Sequence, residues 1–189
     1  FGRIIETNRK NFSVKITQEK QQPQSKIQIS IAQAIVKSDR TKEMLELITQ
    51  SGVHELIPWS AEHSIGKWQT NSRLKWQTSI YEAAKQCHIY SVPSVQEVSS
   101  TKQLIEKFTD YDQVILLDQN AEDPISKVYK IGKSKILLII GPEGGVSDAE
   151  TAQFKNTNVF AAKLANSTFR SAHVALAATS AINTLAGNW

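Results

Sequence analysis

Lys135-Ile136-Leu137-Leu138-Ile139-Ile140-Gly141-Pro142-Glu143-Gly144-Gly145-Val146-Ser147-Asp148-Ala149-Glu150 runs from an apolar segment through a glycine-rich turn into a helix start. The unbroken run Ile136 to Ile140 has the length of a strand buried on both faces. Ser147 and Glu150 stand at capping-box spacing, where the hydroxyl and the carboxylate each satisfy an orphan backbone donor. Strand, turn and helix recur on either side of this stretch. Strands are expected at 26–36, 55–60, 113–118, 135–141 and 158–164, with helices at about 40–50, 72–86, 101–108, from 147 onward, and 171–186. Asp39 is placed to cap the first helix, and Gly52 and Gly187 follow the ends of the first and last. This alternation predicts an α/β fold with a mostly parallel sheet and helices on both faces.

In such a sheet, ligands sit beyond the carboxyl ends of the strands. Three strand ends stand out: Leu116-Leu117-Asp118-Gln119, Gly141-Pro142-Glu143-Gly144-Gly145, and Leu164-Ala165-Asn166-Ser167-Thr168-Phe169-Arg170. Glycines at a strand-to-helix turn permit positive φ and let a ligand approach bare backbone, while Pro142 stiffens the turn. The loop lacks the Lys-Ser/Thr ending of a P-loop and the spacing of a dinucleotide fingerprint. His54, His63, Cys87, His88 and His173 show no metal-ligand spacing, and there is no Gly-x-Ser-x-Gly elbow. Arg170 closes the third loop just before the last helix, where it is placed either to pair with an anionic oxygen of a substrate or to form a helix-flanking salt bridge. Trp59, Trp68, Trp76 and Trp189 read as core or interface anchors.

The 189 residues suit one domain with a small appendage. No apolar run approaches the ~20 residues of a membrane-spanning helix. The start at Phe1, without a basic-then-apolar leader, reads as a cut edge and not as a signal peptide. One cysteine excludes an intrachain disulfide and suits a reducing cytoplasm. Net charge is +4, and residues 1–30 hold six basic against two acidic residues while the remainder balances at sixteen of each. A basic amino end beside a neutral body is read either as an RNA-contacting element or as a solvated face. Residues 3–17 alternate loosely around the polar cluster 7–11, the pattern of a β-hairpin, and 18–25 reads as a linker. Two strands cannot stand alone.

Taken in order, Ile31-Ala32-Gln33-Ala34 with Lys37-Ser38-Asp39-Arg40, Gly52-Val53 ahead of Ile57-Pro58-Trp59, Glu82-Ala83-Ala84-Lys85-Gln86, the GPEGG turn with Ser147-Asp148-x-Glu150, and the loop ending at Arg170 resemble one family. It is the RsmE family of 16S ribosomal RNA (uracil-N3)-methyltransferases, within the SPOUT trefoil-knot superfamily. The likeness covers about 24–187. It implies a knotted α/β methyltransferase domain at 24–189, and at 1–23 the last hairpin of a PUA-like RNA-binding barrel. It implies S-adenosylmethionine as cofactor, a uridine of 16S ribosomal RNA in the small ribosomal subunit as target, a cytoplasmic homodimer, and no metal; the Ala-rich last helix, with Ala175, Ala178, Ala181 and Ile182 at helical spacing, suits close packing against a partner copy.

By the same resemblance, Leu117, Ile140, Gly141, Gly144, Gly145, Leu164, Ala165, Thr168 and Phe169 hold the cofactor, largely through backbone. Arg170 stabilises charge on the target base, Glu143 orients the loop or accepts a proton, and Lys37, Arg40, Arg73 and Lys85 contact RNA. The family usually reads Leu-Gly-Pro where this chain has Leu164-Ala165-Asn166, and its Arg-Thr-Glu/Ser-Thr is Arg170-Ser171-Ala172-His173 here. If position 165 demands positive φ, alanine there costs about 1 kcal/mol or more. A non-catalytic RNA-binding or ribosome-assembly protein that keeps the fold is the alternative reading.

Overall fold

The computed structural model describes residues 1–19, 25–89 and 91–188, with backbone alone at 38 and 39. The expected linker at 18–25 therefore falls mostly outside the described residues, as does Trp189. The amino end forms an antiparallel hairpin, β1 (Gly2–Thr7) with β2 (Phe12–Ile16), with its register shifted between Ile4 and Glu6. The Asn8 side chain closes its turn, accepting from the backbone N–H groups of Lys10 and Asn11 at 3.0 and 2.8 Å. Phe1, Ile4, Ile5, Phe12, Val14 and Ile16 are all exposed.

The remainder alternates strand and helix. The strands are β3 (Gln28–Ala34), β4 (Glu55–Ser60), β5 (Ser94–Val95), β6 (Ser99–Ser100), β7 (Gln113–Leu117), β8 (Lys135–Ile140) and β9 (Val159–Ala162). The helices are α1 (Ser38–Gln50), α2 (Ser72–Gln86), α3 (Thr101–Glu106), α4 (Ile125–Val128), α5 (Asp148–Lys155) and α6 (Ser171–Leu185). The sheet order is β5-β4-β3-β8-β7-β9, with β6 added beside β4, and every pairing in it is parallel. β3 and β8 lie at its centre and are buried on both faces after their first residue.

One face of the sheet packs Ile29, Ile31, Leu138 and Ile140 against Met44, Leu45 and Ile48 of α1, Trp76 and Ile80 of α2, and Ala175, Ala178 and Ile182 of α6. The other face packs Ala32, Ala34, Ile57, Trp59, Leu137 and Ile139 against Leu104 of α3 and Phe154 of α5. Helices thus cover both faces, as the alternation predicts. Among the described residues, no helix is long and apolar enough to cross a membrane.

Several boundaries differ from expectation. α1 opens at Ser38 with Lys37 at its N-cap, so Asp39 falls inside the first turn and not at the cap. β3 and β9 are shorter than 26–36 and 158–164, at both ends, and their carboxyl flanks turn into the edge loops. The third helix ends at Glu106 and tightens into a 3-10 turn, Lys107–Asp110. Gly52 and Gly187 follow the C-caps of α1 and α6 with φ of 75° and 63°, as helix-ending glycines do.

Candidate active site at the carboxyl edge of the sheet

The parallel register carries the ends of β7, β8 and β9 to one edge: Leu117 pairs with Ile140 on one side and Ala162 on the other. The three loops that sequence singles out leave from these ends. They are joined by side chains as well as by the sheet. Thr168 Oγ1 donates to Gln119 Oε1 at 2.8 Å, tying the third loop to the first. Ser171 Oγ donates to the Gly141 carbonyl at 3.2 Å, tying the start of α6 to the second.

Within the second loop the Gly145 N–H donates to the Pro142 carbonyl at 2.9 Å, closing a tight turn. Gly145 has φ +79°, in the left-handed region, and a Cβ built on it would meet nothing within 4 Å. Glycine there both relieves the backbone and leaves open space above the turn. Across the turn, His63 Nδ1 lies 3.1 Å from the Gly145 carbonyl, and a Cβ on Gly144 would stand 3.2 Å from the His63 Cβ. Donating to that carbonyl requires the proton on Nδ1.

His63 is carried by the loop after β4, and that loop is fixed by the buried carboxylate of Glu150. Its Oε1 accepts from the Glu62 N–H at 3.0 Å and from Thr101 Oγ1 at 2.8 Å, while Oε2 accepts from the Ser147 N–H at 3.2 Å. The expected capping box is present, and Glu150 does more than cap.

Each residue named from sequence has its place. Ile140 is buried, and Leu117 and Leu164 are partly buried against the core beneath the loops. Phe169 is 40% exposed beside Arg170. Glu143 and Arg170 are exposed, and neither side chain forms a hydrogen bond or ion pair among the described residues, so the helix-flanking salt bridge is not made. Ala165 does not take the left-handed conformation: among the described residues, His88 alone of the non-glycines has positive φ. The backbone penalty anticipated for Ala165 is therefore absent.

Lys37 and Arg40 are exposed where β3 passes into α1, at the same edge as the loops. Arg73 instead donates to the Val95 carbonyl and to Glu97, each at 2.9 Å, and Lys85 pairs with Glu82 at 2.7 Å. Twelve residues of α2 separate these two, roughly 18 Å along the axis.

The chain is thus an α/β protein with a doubly covered parallel sheet, a class whose ligands bind at the carboxyl edge, and it presents there an open glycine turn and an arginine unpaired among the described residues. Comparison with known proteins narrows the class. The chain belongs to the family described as RNA methyltransferase domain, whose model matches residues 23–183. It is 25% identical over 169 residues to the Ribosomal RNA small subunit methyltransferase E of Mycobacterium bovis, covering 85% of this chain and 64% of that protein. To the protein of the same name from Bacillus subtilis it is 28% identical over 168 residues, covering 83% and 66%. The chain thus spans about two thirds of the length of these relatives. Its fold is that of the Ribosomal RNA small subunit methyltransferase E of Neisseria gonorrhoeae, solved bound to S-adenosyl methionine. That match has a TM-score of 0.88 at 22% identity, covering 97% of this chain and 77% of that one.

Proposed function

We propose that the chain methylates N3 of a specific uridine in the 16S ribosomal RNA of the small ribosomal subunit, using S-adenosylmethionine. The observation that carries this reading is the joining of three carboxyl-edge loops into one hydrogen-bonded unit around an open glycine turn, in a chain of the RNA methyltransferase family. The names of the relatives and the S-adenosyl methionine bound in the Neisseria gonorrhoeae structure support it.

The residues present fit the cofactor. Gly145 has left-handed φ and open space beside it, so a ligand can approach its bare backbone. Leu117, Ile140, Leu164 and Phe169 offer apolar surface, while Gly141, Gly144, Gly145, Ala165 and Thr168 offer main chain. When bound, S-adenosylmethionine supplies a methyl group on a positively charged sulfur. The chain's own part is to align the target and manage its proton. The Arg170 guanidinium, unpaired among the described residues, would stabilise the negative charge that develops on the uracil carbonyl oxygens as the N3 proton leaves. Glu143, an exposed carboxylate on the glycine turn, is the candidate acceptor of that proton. N3 is hidden in a Watson–Crick pair, so the base is taken unpaired or extruded. Lys37 and Arg40 lie beside the loops to meet phosphate, and Arg73 and Lys85 exchange weak exposed pairs for it at longer range.

In this reading, 1–23 is the last hairpin of a PUA-like barrel, whose missing strands would cover its exposed apolar side chains. Residues 24–189 form a SPOUT domain with the trefoil knot. Two copies pair through α6; of the residues expected at that seam, Ala175, Ala178 and Ile182 are instead buried in the chain's own core, which leaves the partly buried Val174, Leu176, Ala177 and Ala181 for a partner, and the protein acts in the cytoplasm. Light scattering at micromolar concentration is expected to give a dimer mass; a monomer refutes the pairing.

The test of the function is calorimetric titration of S-adenosylmethionine into the chain, with Gly145→Val as control. Saturable binding that the variant loses, followed by methyl transfer to small ribosomal subunits, is the expected result. No heat and no thermal shift at millimolar cofactor would instead favour a non-catalytic RNA-binding or ribosome-assembly protein.

A further inference from the structure

Gln33 is 0% exposed near the end of the central strand, on the face that carries Ile29 and Ile31. Its Nε2 lies 3.1 Å from the Ala34 carbonyl and 3.2 Å from Ser171 Oγ. A carbonyl only accepts, so the nitrogen and not the oxygen of the amide must face Ala34. The same nitrogen then donates to the Ser171 oxygen, which leaves the Ser171 proton to go to the Gly141 carbonyl at 3.2 Å. The direction of the relay is thereby set: Gln33 to Ser171 to Gly141.

Gln33 Oε1 is buried without a hydrogen-bond partner among the described residues. An unpaired buried acceptor is destabilising, and an apolar side chain of similar volume would avoid it. The same apolar side chain would, however, strand the buried Ala34 carbonyl, so the amide is held by the two bonds it donates, one to its own strand and one into the site.

We infer that Gln33 is a positioning residue of the transfer site: through the Ser171 hydroxyl it holds the Gly141 carbonyl, and so sets the glycine turn against the residue that follows Arg170. The inference rests on the proposed function for its catalytic meaning, while the relay itself is testable without any ligand. The relay spans three separate parts of the chain, β3, the loop after β8 and the start of α6. Gly141 has one carbonyl, and its orientation fixes the peptide plane on which the Pro142 to Gly145 turn is built. Replacing Gln33 by glutamate removes the donor and supplies an acceptor that competes for the Ser171 proton, releasing the Gly141 carbonyl.

The experiment compares Gln33→Met, Gln33→Glu, Ser171→Ala, Ser171→Thr and the double variant Gln33→Met/Ser171→Ala. Three quantities are measured: amide exchange of Gly145, affinity for S-adenosylmethionine by calorimetry, and Tm. Gln33→Met, Gln33→Glu and Ser171→Ala are each expected to speed Gly145 exchange and weaken cofactor binding, by about tenfold for one lost hydrogen bond. Ser171→Thr should match the wild type, and the double variant should be no worse than either single, since both residues act on one bond. Tm is compared with affinity in Ser171→Ala, which keeps the Gln33–Ala34 bond: its Tm should stay near wild type. Unchanged Gly145 exchange, additive losses in the double variant, or a Ser171→Ala Tm that falls in step with affinity would overturn the inference. If the exchange responds as expected but the wild type binds no cofactor, the proposed function fails and the relay stands.

Discussion

Arg170 stands at the N-cap of α6 with its side chain unpaired among the described residues, at the seam between two loops that hydrogen bonds hold together. Arg170→Ala is expected to abolish methyl transfer while changing cofactor affinity less than about threefold, because only the target base would feel the charge. Measurable turnover in the variant would remove Arg170 from that role. Asp112 makes a different kind of prediction. Its carboxylate accepts from the Lys135 and Ser134 N–H groups and from the Ser134 hydroxyl. These bonds, that from Lys135 first, lower its pKa to about 2. A lowered folded-state value means stability that is present above the ordinary carboxylate range and lost as pH falls toward 2. Asp112→Asn should therefore lower Tm at pH 7, and the gap to wild type should close between about pH 4 and pH 2. At this scale the sequence was partly legible. Gly145 and Arg170 declare themselves by type and place, whereas Gln33 and His63 do not. Gln33 lies in an apolar strand 138 residues from Ser171, and only the folded chain brings them together.

The capping boxes show how far a local signal reaches. Ser147 and Glu150 are recognisable from spacing alone, and the helix they start is where expected. What spacing cannot show is that the same carboxylate accepts from Glu62 and Thr101, thereby fixing the loop that holds His63 against Gly145. Ser147→Ala should cost about 1 kcal/mol, the usual value of an N-cap. Glu150→Ala should cost about 2 kcal/mol, since it also removes the acceptor of part-buried donors from two other elements; chemical denaturation measures both. The longer strands and helices were legible because their apolar periodicity is strong. β5, β6 and α4, with two, two and four residues, were not. Such short pieces are made by pairing and packing with neighbours, Ser94 and Val95 with Glu55 and Leu56 for example, and carry no period of their own.

The whole molecule divides its stability unevenly. The apolar side chains of the hairpin are exposed, and the hydrogen bonds of residues 1–19 stay within that segment among the described residues. Removing residues 1–19 is therefore expected to leave the Tm of the sheet within about 1 °C, since surface changes without packing contacts alter stability little; a larger fall would show that the hairpin supports the sheet. The central strands have the opposite character. β3 pairs with β8 across more than a hundred residues of chain, Gln28 against Lys135 through Gln33 against Ile140. During synthesis at about 5–20 residues per second, β3 emerges from the ribosome roughly 5 to 20 seconds before its central partner exists. Throughout that interval a strand that ends buried on both faces has at most β4 beside it, so the nascent protein carries a half-built sheet edge that holdase chaperones are suited to shield.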